Sequence, residues 1–88
     1  MKLVDKVKQA IKTKKAILGY KRVLKFLKVS SLDMVILAKD TSQNIRNDIE
    51  HNARIAKTEV KILNKSSMDL GTICGKPFPV SVIGIRGK

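Results

Sequence analysis

The chain is poor in the residues from which most active sites are built. Its 88 residues include one cysteine, one histidine, one tyrosine, two phenylalanines and no tryptophan. Because Cys74 has no second cysteine to pair with, an internal disulfide is excluded, which suits a reducing compartment. Cys74 and His51 together cannot supply a zinc ligand set. We therefore expect no enzymatic activity, no metal and no other cofactor.

Long apolar runs are also missing. No stretch approaches the roughly 18 apolar residues that a membrane span requires. The first 15 residues, MKLVDKVKQAIKTKK, carry a charge every second or third position and lack the apolar segment of a signal peptide. These absences predict a cytoplasmic protein.

Acidic residues are scarce relative to basic ones. Seven Asp and Glu stand against 19 Lys and Arg, which gives a formal net charge of +12. Such an excess repels itself in the folded state unless a polyanion neutralises it, and it exceeds what solubility needs. Nucleic acid is the first candidate partner, and an anionic membrane surface is the second.

The hydrophobic pattern alternates between helical and extended periods. Eighty-eight residues suit one domain, which can bury roughly 60 to 65% of the surface of its unfolded chain. The continuous apolar run at 34–38 is typical of a strand covered on both faces. The pattern thus predicts a three-layer α/β/α sandwich with a mixed sheet of about four strands. The predicted helices cover 2–12, 20–29, 41 or 42 to 57, and 66–75, and the predicted strands cover 16–18, 34–38, 60–63 and 80–85.

Three features that resemble catalytic elements have simpler interpretations. His51 lies off the apolar stripe of its helix, which predicts an exposed side chain, and Cys74 is expected in the core. The segment GTICGK at 71–76 has three residues between its glycines, whereas a phosphate-binding loop has four. Nucleotide hydrolysis is therefore not expected.

The segment LGYKRVLKFLK at 18–28 is a candidate anion site. Gly19 places a strand end against a helix N-terminus, where free N–H groups and the helix dipole favour a phosphate. Lys21 and Arg22 follow in the first turn, and Lys25 continues the basic face. A membrane helix and a partner-binding helix are the alternatives, but the apolar face of this segment is needed for its own core.

The segment GKPFP at 75–79 places an aromatic residue between two prolines in a predicted loop. An exposed Phe78 ring beside Lys76 would form a stacking platform for an unpaired base. The alternative is a ring folded back as a lid on the core.

Three blocks of the sequence carry a family resemblance. KKAILGYKRVLKFLK, MVILAKDTSQNIRNDIEHNARIAKTEVKIL and MDLGTICGKPFPVSVIGI resemble, in order and spacing, the L-thirty-e family of archaeal and eukaryotic large-subunit ribosomal proteins. This family is part of the L-seven-Ae superfamily of kink-turn RNA binders. The resemblance covers about 14–85.

The resemblance implies a three-layer fold that grips a sharply bent internal loop of ribosomal RNA with loops at one end of its sheet. Gly19 would let the backbone approach RNA, and Lys21 would contact phosphate or a base edge at the bend. Phe78 would pack on a splayed base, and Lys76 would add a phosphate contact. The expected partners are large-subunit ribosomal RNA and neighbouring ribosomal proteins, with no membrane and no small-molecule substrate. A free-standing kink-turn binder of a small ribonucleoprotein or an autoregulator is the first alternative. A peripheral membrane or protein-interaction module is a more distant one.

The chain departs from the family pattern at two positions and in its length. Asp40 stands where the family commonly has Asn, and a carboxylate accepts hydrogen bonds but cannot donate them to a base. Ile45 stands where the family can carry Arg, so Arg46 is the nearest substitute. Family members usually continue beyond the last strand, and contacts made by such a tail are not expected here. The predicted RNA-binding set is Gly19, Tyr20, Lys21, Arg22, Lys25, Asp40, Arg46, Lys76, Pro77 and Phe78.

Overall fold

Helices and strands alternate along the chain, as the hydrophobic pattern predicts. The structure, a computed structural model, describes residues 3–29 and 32–86. The predicted residue Lys2 of the first helix lies outside these ranges. The elements in chain order are α1 (Leu3–Lys12), β1 (Ala16–Leu18), α2 (Tyr20–Lys28), β2 (Leu32–Ala38), α3 (Gln43–Ala56), β3 (Glu59–Leu63), α4 (Ser67–Ile73) and β4 (Val82–Arg86).

The four strands form one mixed sheet in the order β1-β4-β2-β3. Strands β2 and β3 are parallel, whereas β4 runs antiparallel to both of its neighbours, β1 and β2. The ends of β1, β2 and β3 therefore lie at the same end of the sheet as the start of β4. The loops that follow those three strands are brought together there.

Both faces of the sheet are covered by helices. Met34 and Ile36 of β2 pack in a cluster with residues of α1 and α4. Val35 and Leu37 pack in a second cluster with residues of α2 and α3. All four residues are buried, which confirms the prediction of a strand covered on both faces and the three-layer sandwich.

Two predicted strand boundaries are wrong by two residues. Strand β4 begins at Val82 instead of Val80, because the N–H of Val80 donates to the carbonyl of Ser67 at 2.9 Å and so ties this residue to α4. Strand β2 begins at Leu32 instead of Met34, with an irregular register against β4 between these two residues. The exposed Asp33 at this irregularity hides the start of the strand from an apolar pattern.

The helix starts follow the predicted caps. The Oγ of Ser42 accepts from the N–H of Ile45 at 3.4 Å and caps α3, while the Oγ of Thr41 donates to the Ala38 carbonyl at 2.8 Å. The Oγ of Ser66 accepts from the N–H of Asp69 at 3.2 Å and caps α4. Small hydroxyl residues thus satisfy backbone N–H groups that a helix leaves free.

Helices α1 and α3 end in the same hydrogen-bonding pattern, the Schellman motif. Lys14 and Lys57 occupy its left-handed position, with φ of +60° and +56°. The closing bonds, each 2.8 Å long, join Lys15 N–H to the Ala10 carbonyl and Thr58 N–H to the Ala53 carbonyl. The predicted end of the third helix at Lys57 is therefore one residue too late, because Lys57 has left the helical conformation.

Candidate nucleic-acid interface

At the end of the sheet where β4 begins, the turn after β1 and the loop that leads into β4 form the walls of an open cleft, and Ile45 of α3 also lines it. We call this region the cleft end, defined by residues 18–22, 39–42 and 75–82. The cleft has a volume of about 480 Å³. Five of the ten residues predicted to bind RNA line it: Gly19, Tyr20, Arg22, Lys76 and Phe78.

Gly19 links β1 directly to α2 and gives the cleft one backbone wall. Its φ of 104° and ψ of 142° lie in a region that glycine adopts without strain. Apart from Gly19 and its two neighbours in the chain, no residue has an atom within 4 Å of the point where a Cβ would stand, so the backbone is open to a ligand. No side chain in the described part of the chain caps the α2 N-terminus. The N–H groups of the first turn are therefore available to an anion.

The loop at 75–79 forms the opposite wall. Helix α4 ends in a Schellman motif with Gly75 at φ +70°, and the N–H of Lys76 donates to the Gly71 carbonyl at 2.8 Å. A Cβ on Gly71 would stand 2.2 Å from the carbonyl oxygen of Phe78. The loop backbone therefore packs directly on α4, in space that the glycine leaves free.

Phe78 is exposed to solvent at the rim of the cleft. It retains 53% of its accessible surface, although it is one of three aromatic residues in the chain. The flanking Pro77 and Pro79 restrict the backbone on both sides of the ring. The ring lines the cleft and does not close over the core.

Lys21, Lys25 and Pro77 flank the cleft without lining it. All three are exposed. Lys25 lies one turn after Lys21 on α2 and borders a separate groove with Arg22. A cationic edge thus runs from the cleft along the outside of α2.

Asp40 has a structural partner that the sequence pattern did not indicate. Its carboxylate oxygens accept from the N–H of Ser67 at 2.9 Å and from the Oγ of Ser67 at 3.1 Å. The N-terminus of a helix favours a negative charge, so Asp40 anchors the loop after β2 to α4.

Arg46 does not reach the cleft. Its Nε lies 3.8 Å from Oε1 of Glu50, one turn further along α3, while the neighbouring Ile45 lines the cleft. The departure from the family pattern at Ile45 therefore leaves an apolar side chain at the site.

Tyr20 connects the two helices on this face of the sheet. Its hydroxyl donates a hydrogen bond to Oδ2 of Asp48 in α3. This bond raises the pKa of the Tyr20 phenol, and desolvation and the negative charge of Asp48 act in the same direction. The bond fixes the start of α2, and with it the open wall at Gly19.

The residues considered for catalysis lie apart from the cleft. His51 is exposed and Cys74 is buried, as predicted. Burial raises the pKa of the Cys74 thiol, and the positive charge of Lys76 offsets part of this shift. Within residues 3–29 and 32–86, no three Cys, His, Asp or Glu side chains gather into a metal site.

Comparison with known proteins identifies the family. The model of the ribosomal protein L7Ae/L30e/S12e/Gadd45 family matches residues 1–88. The chain belongs to this family. The large ribosomal subunit protein eL30 of Saccharolobus solfataricus is 42% identical over 79 residues, which are 90% of this chain and 73% of that protein. The eL30 protein of Methanosphaera stadtmanae is 36% identical, over 91% of this chain and 82% of that protein. The family resemblance of the three sequence blocks is confirmed.

Solved structures share the fold. A Bacillus halodurans protein of unknown function superimposes with a TM-score of 0.84 at 22% identity, covering 94% of this chain and 82% of that one. The Giardia lamblia 15.5kD RNA binding protein gives a TM-score of 0.81 at 21% identity, covering 98% and 72%. The family and the relatives are named as ribosomal proteins, which have a structural and not a catalytic role, and the chain is accordingly not an enzyme. Of the helices that the structure describes, none has the length and apolar character needed to cross a bilayer.

Proposed function

We propose that this protein is a structural component of the large ribosomal subunit and binds a kink-turn or related internal loop of ribosomal RNA at its cleft end. One observation carries the proposal: an exposed aromatic ring, two cations and an uncapped helix N-terminus meet in a single cleft. The eL30 name of its relatives and the RNA-binding name of a fold neighbour support the same function.

The two walls of the cleft would perform different tasks. Phosphates at the bend would lie against the first turn of α2, where free N–H groups and Arg22 favour negative charge. An unpaired base would stack on Phe78, whose prolines already hold the loop and reduce the entropy lost on binding. A straight duplex offers no splayed base, so the geometry favours a bent internal loop.

The remaining predicted residues would contribute unequally. Lys21, Lys25 and Lys76 would contact phosphates around the cleft, and Tyr20 and Pro77 would hold its two walls. Asp40 would act through Ser67, by positioning the loop after β2. Arg46 would stay paired with Glu50 outside the contact.

The test compares a kink-turn RNA with a straight duplex of the same base composition, by fluorescence anisotropy over a range of salt concentrations. We expect tighter binding of the kink-turn and a log–log salt slope of roughly −3 to −5, the value for about four to six phosphate contacts. Lys21→Ala should make the slope shallower by just under one unit. The matched variant Lys8→Ala, which removes an exposed lysine in the middle of α1, should leave the slope unchanged. Equal affinity for the two RNAs would reduce the protein to a general polyanion binder.

The cellular setting needs a separate measurement. We expect the protein to sediment with large ribosomal subunits in a sucrose gradient. Sedimentation with lighter particles would favour the free-standing ribonucleoprotein instead.

A further inference from the structure

The end of the sheet opposite the cleft also concentrates positive charge. Helices α1, α2 and α3 all end there, and the N–H of Arg86 at the end of β4 donates to the carbonyl of Lys15 at 2.9 Å. We call this region the basic end. Its exposed cations are Lys12, Lys14, Lys15, Lys28, Lys57 and Arg86.

Few acidic side chains balance these cations. Asp33 shares a surface groove with Lys15 and Arg86. The Glu59 carboxylate lies 3.6 Å from the Lys61 amine and is thereby engaged. Across the part of this end that the structure describes, cations outnumber carboxylates.

Two of the lysines occupy positions where the backbone disfavours them. Lys14 and Lys57 hold the left-handed position of a Schellman motif, which costs any residue with a Cβ more than it costs glycine. The equivalent position at the end of α4 is Gly75. A cation near a helix C-terminus interacts favourably with the helix dipole, but the preceding helical turn could carry it without backbone strain. Both strained positions thus add a cation to the basic end.

The two ends are electrostatically separate. Strand β2 spans the sheet between them with seven residues, roughly 20 Å at about 3.3 Å per residue. The Debye length at physiological ionic strength is about 8 Å. RNA held in the cleft therefore leaves the charge of the basic end largely unneutralised.

We propose that the basic end is a second RNA-binding surface, which holds the phosphate backbone of another RNA segment without reading its bases. The basic end offers point charges, and the aromatic ring nearest to it, Phe26, is half-buried. The Arg86 guanidinium lies 5.8 Å from the centre of this ring, in a cation–π contact. The protein would then hold two RNA segments together. This inference concerns a different surface from the cleft and stands independently of the kink-turn proposal.

The decisive variant is Lys14→Gly/Lys57→Gly, because it removes two cations and relieves backbone strain at both positions, so the fold should be retained. The probe is a fluorescent 20-base-pair RNA duplex without an internal loop. We expect about a tenfold or greater loss of duplex affinity at 0.1 M salt, and a salt slope shallower by nearly two units. Affinity for a kink-turn RNA should stay the same.

The matched control is Lys8→Gln/Lys65→Gln, which removes the same charge from two exposed lysines, one in the middle of α1 and one after β3 at the other end of the sheet. Equal loss of duplex affinity in both double variants would overturn the proposal in favour of diffuse charge. Tighter binding to phosphatidylserine vesicles than to the duplex, with the same sensitivity to the variants, would overturn it in favour of a membrane.

The two RNA sites are distinguished in a ternary experiment. We expect the duplex to bind the preformed complex with kink-turn RNA, and to bind the Phe78→Ala variant as tightly as the parent. Displacement of the kink-turn RNA by the duplex would mean one shared site and would overturn the proposal. If only the kink-turn proposal is wrong, no preformed complex with kink-turn RNA will be obtained, but the duplex will still bind the Phe78→Ala variant as tightly as the parent.

Discussion

The cleft end and the basic end both carry clustered cations, but they differ in everything around those cations. The cleft end has glycines at positive φ, an exposed aromatic ring and a cavity of about 480 Å³. The basic end has lysines at positive φ, a half-buried ring in contact with Arg86 and a smaller groove of about 250 Å³. Charge alone gives affinity for any polyanion, whereas an open backbone and a free ring add selectivity for a particular RNA shape.

The strongest way to break the cleft end alone is Gly71→Ala. A Cβ at this position would stand 2.2 Å from the Phe78 carbonyl oxygen, so the loop must move away from α4. We expect a loss of about 3 kcal/mol in the free energy of unfolding, measured in urea, because backbone cannot yield as a flexible side chain does. Kink-turn affinity should fall in the folded fraction while duplex binding at the basic end persists.

The control for this variant is Thr72→Ala at the neighbouring exposed position of α4. It should change the free energy of unfolding by within about 0.5 kcal/mol. Equal stability of the two variants would contradict the close packing of the loop on α4.

Phe78→Ala tests selectivity with little effect on the fold. The ring is half exposed, so the free energy of unfolding should change little. Kink-turn binding should weaken by about 1 to 3 kcal/mol if a base stacks on the ring. Met68→Ala, which removes another exposed apolar side chain from α4, should leave the affinity intact. Unchanged kink-turn affinity in a folded Phe78→Ala variant would remove the ring from the site.

Lys14→Gly and Lys57→Gly test the two lysines at positive φ in the basic end. The left-handed conformation costs a non-glycine residue about 1 to 2 kcal/mol, and the added freedom of glycine in the unfolded chain offsets about 0.4 to 1 kcal/mol. Each change should therefore raise the free energy of unfolding, by up to about 1.6 kcal/mol. A loss of stability in thermal or urea unfolding would mean that these lysines serve the fold.

The smallest effect is expected from Tyr20→Phe, which removes the hydrogen bond to Asp48. The pKa of the phenol is raised in the folded state. The hydrogen bond therefore stabilises the folded state fully below the ordinary phenol pKa near 10, and this stabilisation is lost as pH rises through the pKa of the folded state. The parent should be more stable than Tyr20→Phe at pH 8, and the difference should shrink in alkaline solution. A difference that does not change with pH would contradict a role for the phenol hydrogen.

Much of the fold is encoded in local patterns. The uninterrupted apolar run of β2 predicts a strand covered on both faces, and serine caps predict the starts of α3 and α4. Strand β1 runs antiparallel to β4, so the turn after β1 at Gly19 lies beside the loop that leads into β4 at Phe78, and this placement follows from the family fold. These signals depend on residues close together in the sequence or on a known topology.

The contacts that hold the cleft could not be predicted in the same way. The Asp40–Ser67 and Tyr20–Asp48 hydrogen bonds join residues 27 and 28 positions apart, and no periodicity encodes such pairs. Whether Ile45 or Arg46 lines the cleft depends on how α3 is rotated about its axis, which the sequence pattern does not specify. The strained lysines escape a sequence pattern because the usual marker of that helix end is glycine.

The most direct test of the central claim is an NMR titration of isotope-labelled protein with one equivalent of kink-turn RNA. The account predicts that the largest amide shifts occur at the cleft end, at Gly19, Arg22, Gly75, Lys76 and Phe78. The amides of Lys15, Lys57 and Arg86 should move little until a second RNA is added. Largest shifts at the basic end with the first equivalent, or equal shifts at both ends, would contradict the assignment of kink-turn recognition to the cleft.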